Sequence, residues 1–221
     1  MQTIDLSHAI RQEMPVFFGA PQPVITHTTE HLQLAGEDVY CTESTLFFNN
    51  HLGTHMDAPA HLLPGGAFLG QLPPERFWGQ AYIIDVQAYR DRLIPKSYLE
   101  QYAAEIAVSD FVLLRSGFDQ YWGDQAYCTG YPRLTQEAAE YLANFDRLSG
   151  IGVDMQSVDP GDQAQVVHMA MFRANKVIVE NLCHLEQIPG QRCLFLAFPL
   201  NFHQADGCTV RAVALLPPVL G

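Results

Sequence analysis

Three histidines and one aspartate lie within a short segment of the sequence, and their side chains are suited to metal chemistry. They are His51, His55, Asp57 and His61. Neutral imidazoles together with a carboxylate suit zinc, manganese or iron(II). Three protein ligands leave an open position for water, whose pKa such a metal lowers towards about 7. A fourth titratable side chain beside that water can move protons. The segment therefore predicts a catalytic metal centre, with His61 as the proton-transfer group.

The backbone of this segment is not expected to be a regular helix. The spacing of His51 and His55 would place both on one helical face, but Gly53 lies between them and Pro59 follows closely. A loop or an irregular strand is the better interpretation, because such a backbone can direct several ligands at one point. The alternative, surface histidines in a loop rich in proline and glycine, is disfavoured by the density of ligand-type residues.

The segment also resembles the signature of a known family. The pattern His-x-Gly-Thr-His-x-Asp-x-Pro-x-His is matched at every fixed position between His51 and His61. It is similar to the signature of the cyclase family, which includes bacterial kynurenine formamidase and isatin hydrolase. Similar blocks occur at Ile4–His8, at Gly152–Asp154 and at Val177–Leu182, and the pair Asp206-Gly207 lies in a similar tail. The resemblance thus extends over nearly the whole chain.

The resemblance implies a set of site residues and a metal content. His51, His55 and Asp57 would hold one ion, Asp57 would bridge to a second ion, and His61 would be the general acid or base. The ligands of the second ion would be His168 and Glu180. Members that resemble isatin hydrolase carry one manganese ion, so the expectation is one or two divalent ions, with zinc favoured and manganese as the alternative.

Three positions to which the resemblance assigns a role have simpler explanations when the residues are considered without it. His168 lies in an apolar helical stretch, where a hydrogen-bonded core histidine is the default. Glu180 ends an apolar strand, where a buried carboxylate paired with a base is the default. Phe17 matches a family position at which an aromatic side chain contacts the substrate ring, but core packing would also explain it. The following Phe18 and Ala20 depart from the family pattern, which leaves the substrate open.

The function expected from the resemblance is hydrolysis of a small aromatic N-formyl amide or a related amide, as in an arylformamidase. Ring opening of a cyclic amide, imide or lactone, as in isatin hydrolase, would use the same metal and base. A metal-binding protein without turnover is the alternative of another class. An open coordination position and the additional His61 argue against it, because structural zinc sites are usually closed by four protein ligands.

The elements that would position these residues indicate an α/β or α+β fold with a mixed central sheet and a β-rich N-terminal part. The resemblance implies the swivelling β/β/α domain of the family, as one domain over residues 1–221. Residues 63–80 are predicted as a loop. Helices are predicted at 96–106, 135–145 with Thr135 as N-cap, and 164–174. Strands are predicted at 2–6, 24–33, 39–48, 81–86, 111–115, 149–153, 177–179, 192–198 and 209–215.

The composition limits the partners and the compartment. A net charge of −12 argues against nucleic acid or an anionic membrane as a partner, and a small-molecule substrate is expected. Five cysteines without a CxxC pair favour a reducing cytoplasm, and the N-terminus does not have the pattern of a signal peptide. The low charged fraction of 16% suggests additional buried surface, as in a homodimer or homotetramer.

One further acidic cluster contains Asp154, Asp159 and Asp162. It lacks the alternating ligand pattern of a calcium loop. We interpret it as a structural cluster that shapes the wall of the pocket.

Overall fold

The computed structural model describes residues 2–159 and 165–216. None of the helices in these residues combines the length and the apolar character that crossing a bilayer requires. The strands are β1 (Gln2–Asp5), β2 (Val24–Leu34), β3 (Glu37–Phe47), β4 (His55–Asp57), β5 (Trp78–Asp85), β6 (Leu93–Ile94), β7 (Phe111–Arg115), β8 (Arg133–Leu134), β9 (Gly150–Val153), β10 (Val177–Glu180), β11 (Arg192–Pro199) and β12 (Gly207–Leu216). The helices are α1 (Lys96–Glu100), α2 (Ala103–Ala107), α3 (Gln136–Ala143) and α4 (Val166–Arg173).

Eight strands form a mixed sheet in the order β1-β12-β11-β5-β7-β9-β10-β4. The neighbours from β5 to β10 are parallel, and the other pairs are antiparallel. Strand β4 also pairs with β12, so the sheet closes on itself. The predicted mixed sheet is therefore confirmed. The three-residue strand β4, which was not predicted as a regular strand, is the element that closes it.

The sheet carries a hydrophobic cluster on each face. Strand β7 shows the alternation that produces them: Phe111 and Leu113 belong to one cluster, and Val112 and Leu114 belong to the other. The second cluster also contains the buried apolar residues of the four helices. This double burial explains why strands such as β7 and β10 read as continuous apolar runs in the sequence.

Among the predicted elements in the middle of the chain, one helix and one loop differ clearly from the structure. The helix predicted from Lys96 to Ile106 is divided into α1 and α2, because the Tyr102 amide bonds to the Leu99 carbonyl three residues back and tightens the turn. The predicted loop at 63–80 ends earlier, since β5 begins at Trp78 and the segment contains short 3-10 turns. By contrast, the predicted N-cap of α3 is confirmed, with the Thr135 hydroxyl accepting from the Ala138 amide at 3.2 Å.

Strands β2 and β3 form a separate two-stranded ribbon. Each has eleven residues, and among the described strands the two pair only with each other. Almost every ribbon residue is exposed, including the large apolar side chains of Leu34, Tyr40 and Phe47. The β-rich N-terminal part is confirmed, but the ribbon has no buried face among the residues that the structure describes.

Candidate metal centre

Strand β4 places two of the predicted ligands on one face. His55 and Asp57 are two residues apart, so their side chains project to the same side, while the intervening Met56 enters the core. The antiparallel register with β10 sets Glu180 directly opposite His55. Residues that face each other across two strands have adjacent side chains. The local sheet geometry therefore brings together ligands that are 125 residues apart in sequence.

His51 lies in the loop before β4, and the expectation of a non-helical segment is confirmed. Gly53 adopts a φ of 59°, in the left-handed region that glycine enters readily. This turn directs the His51 ring back towards the strand, where its Nδ1 lies 2.6 Å from Asp57 Oδ1. His51 thus joins the face formed by His55 and Asp57.

His55 is held in one orientation by a backbone contact. Its Nδ1 donates a hydrogen bond to the Gly53 carbonyl at 2.8 Å. The Nε2 atom consequently points at the carboxylates, 3.3 Å from Asp57 Oδ1 and 3.7 Å from Glu180 Oε2. A histidine whose one ring nitrogen is bonded in this way is oriented for ligation through the other.

His168 on α4 is oriented in the same manner by a carboxylate. Its Nδ1 donates to Asp159 Oδ2 at 2.8 Å, and its Nε2 lies 3.5 Å from Glu180 Oε1 and 3.8 Å from Asp57 Oδ2. Asp159 also accepts from the Val167 and His168 amides at the start of the helix. The burial of His168 among apolar residues is therefore not that of an ordinary core histidine, since its free nitrogen faces two carboxylates.

The interpretation of the acidic cluster as purely structural missed this role of Asp159. Asp154 fits the structural interpretation, because it accepts from the Ser116 amide and hydroxyl and from the Gly117 amide. Asp162 lies outside the described residues. The sequence holds no local signal for the Asp159–His168 pair, since it depends on where α4 begins.

Glu180 is buried and fixed by two donors. Its Oε1 accepts from the Ser157 hydroxyl at 3.0 Å and from the Val158 amide at 2.9 Å. Burial raises the pKa of Glu180, and the negative charge of Asp57 adds to that rise. Burial also acts to raise the pKa of Asp57, but the surrounding histidines outweigh it and hold that pKa well below its usual range.

The donor set fits a divalent cation. His51, His55 and Asp57 form one group, and Asp57, His168 and Glu180 form another; within each group the candidate ligand atoms lie within 4.8 Å of one another. Two buried carboxylates beside histidine nitrogens need positive charge between them. The chain offers oxygen and imidazole donors here in a pattern that suits zinc or manganese.

Without a metal, the positive charge comes from the imidazoles. Burial lowers the pKa of His55, but Asp57 and Glu180 outweigh it and raise that pKa to about 9. Burial likewise opposes the rise for His168, and Asp159 together with Asp57 and Glu180 raises its pKa to about 10. A metal ion and these protons therefore compete for the same nitrogens.

His61 lies at the edge of this centre, on a 3-10 turn from Pro59 to His61. Its Nδ1 is 3.2 Å from Asp206 Oδ2, and its ring centre is 4.1 Å from that of His51. Burial lowers the pKa of His61, and the nearby His51 acts in the same direction. The sequence interpretation did not include Asp206 in the site; the only signal for it was its place in the similar tail.

Two polar residues, one within the signature and one just before it, hold the surrounding structure in place. The Thr54 hydroxyl donates to the Asn181 carbonyl at 2.5 Å and accepts from the His8 amide. Asn50 donates through Nδ2 to Asp206 Oδ1 at 2.7 Å. Both residues thus fix the backbone or side chains around the predicted ligands.

A cavity of about 340 Å³ opens above the candidate ligands. Phe17 and Leu62 contribute apolar surface, Tyr127 lines it as well, and Asn181 and Gln156 contribute amide groups. Phe17 is 49% exposed, so core packing does not explain its position. The combination of apolar surface and a few polar groups suits a small organic ligand with an aromatic part.

Comparisons with known proteins agree with this geometry. An isatin hydrolase from Roseibium aggregatum is 27% identical over 195 residues, which cover 78% of this chain and 74% of that protein. A kynurenine formamidase from Paracidovorax citrulli is 28% identical over 216 residues, 96% of each chain. The structure of isatin hydrolase A from Ralstonia solanacearum superposes with a TM-score of 0.78 at 26% identity, covering 96% of this chain and 91% of that one. The predicted fold class is thereby confirmed.

The family assignment follows from a match to a family model over residues 4–160, which is more than half of the chain. That segment contains the signature from His51 to His61 and ends just after Asp159. The chain therefore belongs to the family described as "Putative cyclase".

Proposed function

We propose that this chain is a metal-dependent hydrolase that cleaves the amide bond of a small aromatic N-formyl compound or a related amide. The observation that carries the proposal is the position of Asp57, which belongs to both candidate ligand groups and lies beneath the cavity. The relatives named kynurenine formamidase and isatin hydrolase support this class of reaction.

The proposed ligands of the first ion are His51, His55 and Asp57. His168 and Glu180 would hold a second ion together with Asp57, and zinc is favoured over manganese for an imidazole-rich set. A divalent ion in such a site supplies a hydroxide at neutral pH and polarises a carbonyl oxygen.

The chain's own residues would perform proton transfer and substrate orientation. His61 can donate its Nδ1 hydrogen to Asp206, which leaves Nε2 available for a proton that is passed to the leaving nitrogen. Phe17 and Leu62 would contact the aromatic ring of the substrate. The Asn181 side chain would donate through Nδ2 to a polar substituent of the substrate. Its Oδ1 already accepts from the Tyr127 hydroxyl at 2.7 Å, which fixes the orientation of the amide.

The deciding experiment is turnover as a function of metal. The protein is prepared metal-free, zinc or manganese is restored, and N-formylkynurenine and isatin are assayed in parallel. Metal-dependent release of formate supports the formamidase function. Preferential opening of isatin supports the second candidate, which the structural match to isatin hydrolase A favours. Metal binding without hydrolysis of any compound in a panel of aromatic amides and lactones would point to the non-catalytic alternative.

We also propose that the chain assembles as a homodimer or homotetramer through the β2–β3 ribbon. A lone two-stranded ribbon is at best marginally stable in water, and this one exposes Leu34, Tyr40 and Phe47. A second copy that covers it would bury these side chains. Light scattering after gel filtration tests this, with Phe47→Ser expected to weaken the assembly and Val108→Ser, an exposed position outside the ribbon, expected to leave it unchanged.

The expected compartment is the reducing cytoplasm. Cys183, Cys193 and Cys208 are buried thiols, and Cys41 and Cys128 are exposed thiols; none forms a disulfide. Fractionation of cells that produce the protein at native levels would test this placement.

A further inference from the structure

The side chain of Asp206 contacts two histidines of the candidate centre at once. Its Oδ2 lies 3.1 Å from His51 Nε2 and 3.2 Å from His61 Nδ1. Its Oδ1 accepts from the Asn50 side-chain amide at 2.7 Å. A single carboxylate thus contacts both His51, the first predicted ligand, and His61, the predicted acid or base.

The position of Asp206 is fixed by the sheet. Its carbonyl accepts from the Ala58 amide at 2.8 Å, and the next residue, Gly207, pairs with Asp57 at the start of β12. The carboxylate is therefore attached to the same strand pair that carries the ligands. A carboxylate held in this way can orient a neighbouring ring instead of following its motion.

We propose that Asp206 is a positioning residue that sets His51 and His61 in opposite tautomers. A neutral imidazole carries one N–H and one lone pair, and an ionised carboxylate can only accept. The contact at His61 Nδ1 therefore fixes the hydrogen there and leaves Nε2 as the lone-pair nitrogen. His51 faces a carboxylate at each nitrogen, Asp57 at Nδ1 and Asp206 at Nε2, so the metal-free ring can hold a hydrogen on both. A metal held at Nδ1 would displace the hydrogen there, and the contact with Asp206 would keep the remaining hydrogen at Nε2.

The consequence for His61 rests on the proposed function. A base must present its lone pair to the proton that it receives, so a hydrogen at Nε2 would make His61 ineffective. In hydrolases with a histidine base, removal of the orienting carboxylate lowers kcat by up to about 10⁴-fold through the wrong tautomer. Asp206 is more exposed to solvent than the buried carboxylate of those hydrolases, and solvent weakens its hold on the ring. We therefore expect kcat to fall by about 100-fold when Asp206 is removed.

The test uses zinc-loaded protein with ¹⁵N-labelled histidine, in which long-range ¹H–¹⁵N correlations report the protonated nitrogen of each ring. The His61 signals are assigned with a His61→Gln variant. In the unaltered protein we expect His61 to be protonated at Nδ1. In Asp206→Leu we expect a population protonated at Nε2, a kcat about 100-fold lower at saturating zinc, and a KM changed less than threefold. Asp206→Asn should not restore the Nδ1 tautomer, because its amide oxygen would stay with the Asn50 donor and its amide nitrogen would face His61 Nδ1 as a donor. We therefore expect hydrogen at Nε2 of His61 and a lowered kcat in this variant as well.

His51, His61 and Asp206 also lie close enough to form a ligand group of their own. The number of bound zinc ions therefore distinguishes a positioning role of Asp206 from a role as a metal ligand. Loss of an outer carboxylate weakens metal affinity by about 10- to 100-fold but leaves the number of ions at saturation unchanged. A loss of one ion at saturation would show that Asp206 is a ligand and overturn the proposal. An unchanged His61 tautomer in Asp206→Leu would also overturn it.

The tautomer measurement does not depend on turnover. If the unaltered zinc-loaded protein hydrolyses no substrate, the proposed function fails while the spectra still decide the role of Asp206. A matched carboxylate control is Glu100→Gln, which alters the surface pair with Lys96 and should change neither the spectrum nor kcat.

Discussion

Gly207 lies opposite Asp57 across the β4–β12 pair and directly beneath the ring of His51. A Cβ atom at this position would overlap the His51 ring, because it would meet Cε1 and both nitrogens well inside contact distance. A glycine here is therefore required by the close approach of a predicted ligand, and its φ is not in the left-handed region.

We predict that Gly207→Ala displaces His51 and impairs metal binding without unfolding the protein. The metal dissociation constant should rise at least tenfold and kcat should fall about 100-fold, since misplacement of a reacting group by about 1 Å has such an effect. Calorimetric metal titration measures the first quantity. Gly70→Ala is the control, because its Cβ would meet only the movable side chain of Asn201. Wild-type affinity in Gly207→Ala would contradict the role of His51.

His61→Ala should separate proton transfer from metal binding. His61 is more exposed than the other ligand-type residues and lies beside Asp206 instead of between the buried carboxylates. We expect kcat to fall by about 10²- to 10⁴-fold, the usual contribution of general acid–base catalysis, with an unchanged metal content. Elemental analysis and steady-state kinetics on the same preparation check this. Loss of metal in His61→Ala would instead make His61 a ligand.

His168→Ala tests whether two ions bind. This residue belongs to the second ligand group only, whereas Asp57 belongs to both. If two ions bind, the variant should retain one of them and lose most of its activity. Thermal unfolding with and without zinc provides the control for folding. An unchanged metal content in His168→Ala would show that His168 is not a metal ligand and serves only the packing of α4.

Metal binding at neutral pH should release protons. The pKa values of His55 and His168 are raised to about 9 and about 10 by the neighbouring carboxylates, so both rings are charged in the metal-free protein at pH 7.5. Ligation needs neutral imidazoles. We expect about two protons to be released per protein at pH 7.5, seen as a dependence of the titration enthalpy on the ionisation enthalpy of the buffer. His168→Ala should release about one proton fewer.

The same shifts define the pH dependence of stability without metal. A raised pKa in the folded state means that these histidines stabilise the folded protein most fully below their unfolded pKa of about 6.5. The contribution is lost as the pH rises through about 9 to 10. Denaturant unfolding of the metal-free protein between pH 6.5 and 10 should show this decline. A metal-loaded sample should lack it, because the ion replaces the protons.

Phe17→Ala should weaken substrate binding more than it slows the reaction. Phe17 lines the cavity, while its neighbour Phe18 is 97% exposed and is absent from the lining. Loss of an aromatic contact should raise KM for an aromatic amide about tenfold, with kcat changed less than threefold. Phe18→Ala is the matched control and should change neither value. Equal effects of the two substitutions would remove Phe17 from the proposed substrate contacts.

Local patterns in the sequence were sufficient for most elements of the fold. Apolar runs predicted β7 and β10, because strands buried on both faces need apolar side chains at every position. Thr135 predicted the start of α3 through its capping hydroxyl. Sequence patterns did not predict the division of α1 from α2 or the isolation of the ribbon. Those features depend on turn geometry and on contacts that periodicity does not describe.

The sequence by itself determined the ligand-type residues between His51 and His61, because their density and spacing are local properties of the chain. The tertiary structure decided which distant side chains join them. The register of β10 against β4 places Glu180 opposite His55, and the position of α4 brings His168 into contact with Asp159. The pairing of β12 with β4, which closes the sheet, places Asp206 beside His51 and His61. Each of these contacts is made across strands or between layers, and side chains that meet in this way leave no periodic signal in the sequence between them.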